Sequence, residues 1–425
     1  VSRAHHADVG GMAPGSMPAG AREIFQEGLR IPPVRIVAGG DRNDELLSVL
    51  LANVRNPAER RADLRAQIAA NERAEERLAA LRATHGSDRL RAAFEAVIDY
   101  SGQRMTAAIG ELPNGTYTAA DVLEGDGISA TDIPINVRLT VGNDFLTVDF
   151  AGTAPQVDGN VNAPRSVTKS AVYFVVRAVT DPEIPPNHGC YRPVSVEIPS
   201  GSVLDPEPPA AVVGGNVETS QRVTETVLSA FAEAVPDELP AQGQGTMNNL
   251  TIGSRNGDGF SYYETIGGGF GARPTADGMD GVQVGMTNTL NTPIEALEAE
   301  YPLGVTRYGL RPDSGGRGEY RGGLGIERSI EVGVPATVSL LTERRRHAPQ
   351  GAAGGEDGAT GENLVDGEPV GAKTTIEVAA GTTVTVRTPG GGGYGPPEAR
   401  DPEAIDEDLA DGNRTERREA DGESP

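Results

Sequence analysis

Residues 133–150 read IPINVRLTVGNDFLTVDF, and this stretch decides the fold class. Ile133, Ile135, Val137, Leu139 and Val141 alternate with Pro, Asn, Arg and Thr. Gly142, Asn143 and Asp144 turn the chain, and Leu146, Val148 and Phe150 alternate back. A period of two on both sides of a turn predicts a hairpin with one buried face. Upstream the period is helical. Leu46, Leu47, Leu50 and Leu51 share one face of a helix that should stop near Asn56-Pro57, because proline disfavours helix in the residue before it. From Ala58 to about Thr84 the stripe is Leu64, Ile68, Leu78 and Leu81, with Gly86 as the stop and Asp88 as the next N-cap. A third helix runs to about Ile109, before Pro113. All three read as packing helices whose charges form the solvated side.

Downstream, the apolar run from Ser170 to Val179 fits strand or helix, and periodicity leaves both open. Val217 to Ala234 is a helix, with Val223, Val227, Phe231 and Ala234 in step. Short strands broken by glycine follow: Leu250–Ile252 and Phe260–Glu264 around an Asn256-Gly257 turn, then Ile326–Val332, Thr337–Leu341, Thr374–Val378 and Val384–Thr388. The tail from about Pro396 is charged without apolar period and is expected to be disordered. The expected fold is α+β: N-terminal helices, then mixed, largely antiparallel, glycine-rich β structure with one long central helix. Four regions are expected: 1–113, a motif loop and helices; 114–213, rich in β structure; 214–397, the central helix and a β-rich cavity lining; 398–425, the acidic tail.

Composition limits the function classes. The 425 residues carry 61 acidic and 37 basic side chains, a net charge of −24, which argues against nucleic acid or an anionic membrane as direct partner. Every cation except Lys169 and Lys373 is arginine, and excess carboxylate of this kind suits a salt-adapted (halophilic) or high-GC source. One cysteine and no tryptophan rule out a disulfide scaffold and any paired-cysteine metal knuckle. No apolar run is long enough to span a membrane and no signal-peptide pattern opens the chain, so a soluble, cytoplasmic protein is expected.

Four stretches are rich in groups that do chemistry. His5-His6-Ala7-Asp8-Val9-Gly10-Gly11 offers imidazole and carboxylate donors suited to Mn, Fe or Zn. Neighbouring side chains seldom both reach one ion, so one histidine would ligate while the other packs; a solvated loop fits the spacing equally well. Gly214-Gly215-Asn216 followed by Val217, Glu218, Thr219, Ser220, Gln221 and Arg222 places free N–H groups at a helix start, either an anion seat or an ordinary cap. Gln244 to Asn249 and the pair of runs 264–269 and 286–293 are dense in amides and hydroxyls next to glycine. Such groups suit a small polar ligand such as a cyclic amide, or simply cap turns. The chain has no P-loop and no GxSxG elbow. Cys190 has His188 two residues away, a spacing that rarely makes a nucleophile–base pair, so no catalytic residue is assigned.

Taken in order, HHADVGGMAPGSMP (5–18), VDFAGTAPQVDGNVNAP (148–164), TDPEIPPNHGCYRPV (180–194), GGNVETSQR (214–222), QGTMNNLTIG (244–253), YYETIGGGFGARP (262–274), MTNTLNTPIEALEAEYPL (286–303), RPDSGGRGEYRGGLGI (311–326) and TPGGGGYGPP (388–397) resemble the hydantoinase B/5-oxoprolinase family. The N-methylhydantoinase B-type subunits and the acetone- and acetophenone-carboxylase subunits are its members, and the resemblance runs from residue 1 to about 397. It implies a B-type subunit working with a separate ATP-binding A-type subunit, which would account for the absent P-loop. The implied activity is ATP-dependent ring opening of 5-oxoproline, hydantoin or N-methylhydantoin. The alternatives are an ATP-dependent carboxylase subunit for small ketones, or a non-catalytic scaffold that only binds its partner. Homo- and hetero-oligomers are expected.

The resemblance also implies a divalent metal, with His5 as ligand and Asp8 as second ligand or orienter of the imidazole. Asn216, Ser220 and Gln221 are expected to hold the substrate carboxylate or amide, and Asn248, Glu264, Thr287 and Asn288 to line the cavity. Relatives carry an NDPY…HLPD-type segment ahead of the HHADVGG motif that completes the metal site. It is expected to lie upstream of this sequence, leaving the metal site incomplete and the chain inactive alone. Relatives often have histidines just before the MTNT run, where this chain has Gln283 and Gly285.

Overall fold

The computed structural model describes residues 2–254 and 259–416. After an irregular N-terminal loop, a small ribbon of β1 (Val37–Ala38) and β2 (Asp41–Arg42) leads into α1 (Asp44–Ala52), α2 (Pro57–His85) and α3 (Ser87–Ile109). The Asn43 side chain caps α1 by accepting from Leu46 N–H. Pro57 opens α2, and Gly86 ends it at φ +78°, a conformation that costs glycine little. The stripe read on α2 packs only in its first half, where Leu64 and Ile68 are half-buried. Leu78 and Leu81 remain 48% and 43% exposed, and Arg60 is the one buried residue of the helix among those described. The second half is held in helix by propensity and charge placement rather than by a core.

The 133–150 hairpin forms as β4 (Ile133–Val141) and β5 (Leu146–Asp149), flanked by antiparallel β3 (Gly115–Leu123) and by β6 (Val194–Glu197), parallel to β5. The ambiguous 170–179 run is helical, within α4 (Arg165–Val179). α4 and α5 (Ser220–Ala234) cover the apolar face of this sheet, where Ile135, Leu139, Val148, Val172, Val223 and Phe231 share a core. A single π-helical turn, Gly215–Thr219, runs directly into α5.

Two further antiparallel sheets share a second core. One orders β14 (Lys373–Val378), β11 (Ala336–Leu341), β7 (Asn249–Ser254) and β8 (Phe260–Thr265). The other orders β13 (Glu368–Pro369), β12 (Glu362–Val365), β15 (Thr382–Arg387), β10 (Ile326–Val332) and β9 (Leu303–Leu310), with α6 (Ile294–Glu300) leading into β9. Ile252 and Val338 of the first meet Ile330 and Val384 of the second. The expected Asn256-Gly257 turn lies outside the described residues.

Glycine does more here than break strands. Extended segments around 267–272, 314–325, 349–359 and 389–395 lie side by side and exchange backbone hydrogen bonds, such as Gly391 N to Gly323 O and Gly323 N to Phe270 O. A Cβ on Gly391 would stand 2.1 Å from Phe270 O, closer than any side chain tolerates.

The tail corrects the expectation of disorder as far as residue 416. Pro402–Ala410 is α7, Ile405 is fully buried, and Asp408 pairs with Arg321 and Arg400. One apolar anchor and buried ion pairs order it, which no apolar period announces. The remainder, 417–425, lies outside the described residues.

Candidate functional site

The N-terminal loop and the π turn face each other across a cleft of about 600 Å³. Asp8 builds the loop. Its carboxylate, 1% exposed, accepts from Gly10 N, Gly15 N, Arg55 N and the Arg55 guanidinium. Arg55 returns to the carbonyls of Gly10 and Gly11, closing the loop on itself. Gly10 sits at φ +93° with Asn53 O 2.4 Å from where a Cβ would be, so glycine is required there.

The two histidines part company on this loop. His6 is held by α2, with Nε2 3.2 Å from Gln67 Oε1 and Nδ1 3.5 Å from Asp63, which Arg60 also pairs. His5 is exposed and lines the cleft. Asp8 does not line the cleft; its partners are backbone and Arg55. Among the described residues no group of three or more His, Cys, Asp or Glu converges as a metal site. One free imidazole does not make a divalent-ion site, so the donor set does not fit the implied metal and no step is routed through one.

Across the cleft the helix start is already occupied. Glu27, 7% exposed, accepts from Val212 N and Val213 N at 2.9–3.0 Å, and Gly215 N donates to Asn160 O. Burial raises the Glu27 pKa, against the lowering by those two N–H groups. The protein's own carboxylate therefore takes the N–H groups just ahead of Gly214-Gly215, and backbone carbonyls take that of Gly215. Asn216 is exposed and lines the cleft.

The other expected contacts lie inside the protein. Ser220 Oγ donates to the Asn216 and Val217 carbonyls, and Gln221 ties α5 to Val284 O and Met286 N. Asn248, at φ +49°, donates to Gln244 Oε1 and Ile266 O. Glu264 pairs with Arg328 and accepts from Thr292 N. None of these four lines the cleft. Thr287 is half-buried, with its N–H on Val284 O, and Asn288 is exposed. Both follow Met286, which packs in a small cluster with Val217 and Tyr263 beside the cleft.

Beside Glu218 of the π turn lies a buried ionic cluster. Arg222 pairs with Asp121 and Glu343, Arg344 with Asp121, and Lys373 with Glu343, nearly all of it out of solvent. Burial pulls the Asp121 pKa up, but Arg222 and Arg344 outweigh it and hold it below the ordinary value. Glu218, fully buried in the π turn, is pushed up to about 7 by burial and then by the Glu343 charge. Its Oε1 accepts from Met247 N and Asn249 Nδ2.

Glu27 and Tyr263 escaped the sequence reading as site residues, and Glu218 and Asn249 were read only as members of their polar stretches. Adjacent residues of a strand point to opposite faces, so of Tyr262 and Tyr263 one had to leave the sandwich core. Glu218 and Arg222, one turn apart beside the apolar face of α5, signalled buried charge. Glu27 gave no such signal.

The Hydantoinase B/oxoprolinase family model matches residues 1–397. The chain belongs to the hydantoinase B/oxoprolinase family. It is 42% identical to an uncharacterized protein of Methanocaldococcus jannaschii, covering 97% of this chain and 72% of the relative. It is 41% identical to 5-oxoprolinase 1 of Arabidopsis thaliana, covering 93% of this chain and 33% of that protein. It is 33% identical to the putative B-type subunit of a D-/L-hydantoinase from a Pseudomonas species, covering 97% and 73%. The chain thus spans about a third of the length of the Arabidopsis 5-oxoprolinase it matches. Among solved structures, the ATP-dependent caprolactamase of Pseudomonas jessenii superposes with a TM-score of 0.88 at 29% identity, over 96% of this chain and 74% of the other. Acetone carboxylase shares the fold, with a TM-score of 0.85 at 19% identity, covering 97% and 62%. Among the described residues of this family member no helix is long and apolar enough to cross a membrane.

Proposed function

We propose that this chain is the B-type subunit of an ATP-dependent cyclic-amide hydrolase. A separate ATP-binding partner of A type activates the ring amide, and this chain holds the ring while water opens it. The observation that carries the reading is the likeness to an ATP-dependent caprolactamase over 96% of the chain. The relatives named as a 5-oxoprolinase and as a hydantoinase subunit support the same chemistry and a partner subunit.

An unactivated lactam or imide is a poor electrophile. Phosphorylation of its oxygen by the partner makes the ring carbon electrophilic. Water adds there, and the adduct breaks its C–N bond as the nitrogen takes a proton and leaves as the amine. A second water releases phosphate from the acyl phosphate that remains. Val9, Met17, Val167 and Val212 give the cleft apolar walls for ring methylenes. Asn216 and Tyr263 serve the polar edge of the ring, and Arg30, exposed at the rim, is the cation available to an acidic substrate. His5, the imidazole that α2 does not hold, accepts the proton of the attacking water.

The test is ATP hydrolysis by the chain purified together with its ATP-binding partner. Turnover is expected only when 5-oxoproline, hydantoin or caprolactam is present, with ring-opened product in step with phosphate. Turnover that needs bicarbonate and a ketone would make it a carboxylase. A complex that forms yet turns over no cyclic amide would make it a scaffold.

A further inference from the structure

A hydrogen-bond chain runs from the cleft wall into the interior. Tyr263 Oη lies 2.9 Å from Asn249 Oδ1, and Asn249 Nδ2 donates to Glu218 Oε1 at 2.7 Å and to the Leu341 carbonyl at 2.9 Å. One atom decides the direction of these protons. Leu341 O can only accept, so the Asn249 edge turned towards it and Glu218 must be the NH2 group. The opposite edge is then the amide carbonyl, which also can only accept. Tyr263 is therefore the donor at that contact.

Two further observations fix the phenol. Burial, and then the charge of Glu218, hold its pKa well above the ordinary value, so the hydrogen stays on the oxygen. No described residue donates to Oη. Its proton points inward, and it has only lone pairs to offer the cleft that Tyr263 lines. Each deeper partner reinforces this arrangement, because hydrogen bonds in series polarise one another.

We propose that Tyr263 determines specificity: its oxygen is a fixed acceptor for the ring N–H of an unsubstituted cyclic amide. The chain then favours secondary lactams and imides over N-alkylated rings. Asn249 is the positioning residue, and Glu218 anchors it from below. This inference rests on the cyclic-amide reading of the cleft. A site built to pair with an N–H leaves a polar atom unpaired when the ligand lacks one, so discrimination of about 10- to 100-fold is expected.

The experiment measures dissociation constants for the chain with its ATP-binding partner. The probes are 5-oxoproline and caprolactam, each against its N-methyl derivative. Wild type is expected to prefer the N–H ring by about 10- to 100-fold. Tyr263→Phe, its fold checked by circular dichroism, is expected to bind the two members of a pair alike. Equal binding of N–H and N-methyl rings by wild type overturns the inference and leaves the functional reading standing. So does a preference that survives in Tyr263→Phe. Binding of neither ring overturns both. The wild-type comparison does not depend on any variant folding.

Discussion

Glu218 sits in an environment unlike the one its type prefers: a carboxyl in full burial beside a second buried carboxylate, Glu343. Its folded pKa, about 7, lies above the ordinary 4.5, so the folded state binds the proton more tightly. The resulting stabilisation is complete below about pH 4.5 and is lost as pH rises through about 7. Glu218→Gln removes this titration while keeping an acceptor for Asn249. Between pH 4 and 8, wild type is predicted to lose on the order of 3 kcal/mol of unfolding free energy relative to that variant. Denaturant melts at several pH values check this; parallel curves would contradict it. Asp8 shows how far single residues were legible. The HHADVGG motif marked it as a residue with a task, but the task depends on Arg55, 47 positions away, and no local pattern names such a partner.

Elements were legible where one face is buried and the period is therefore regular. The 133–150 hairpin and α5 follow directly from that rule, because every second or every third to fourth residue meets the same core. α2 looked amphipathic along its whole length but leaves Leu78 and Leu81 exposed in its second half. The π turn was invisible in the sequence, as was the close approach of Gly215 to Asn162, whose carbonyl lies 1.9 Å from where a Cβ would be. α7 was missed because ion pairs hold it. Asp408→Ala leaves the buried Arg321 and Arg400 guanidinium groups each short of a partner, and is predicted to cost about 2 kcal/mol. Chemical denaturation measures this, and limited proteolysis should show earlier cleavage after residue 400. An unchanged midpoint would mean that Asp277 and Asp280 suffice.

At the scale of the molecule, the glycine segments pack on one another and on the sandwich through backbone hydrogen bonds, and Arg321 ties them to the tail. Composition showed that glycine was abundant but not that the chains touch, since a glycine needed for close approach looks the same in sequence as one in a turn. Gly391→Ala forces a methyl group to within 2.1 Å of Phe270 O and is predicted to destabilise the protein by more than about 3 kcal/mol, read from its thermal midpoint. The same long-range assembly brings His5, Asn216 and Tyr263, distant in sequence, to one cleft. The claim that this cleft receives a cyclic amide is tested most directly by a crystal structure with 5-oxoproline bound. The ring is predicted to lie between the His5 loop and the π turn, its N–H facing Tyr263 Oη. Density for the ring instead in the apolar cavity behind α5, walled by Leu228, Phe270 and Val284, would contradict the account.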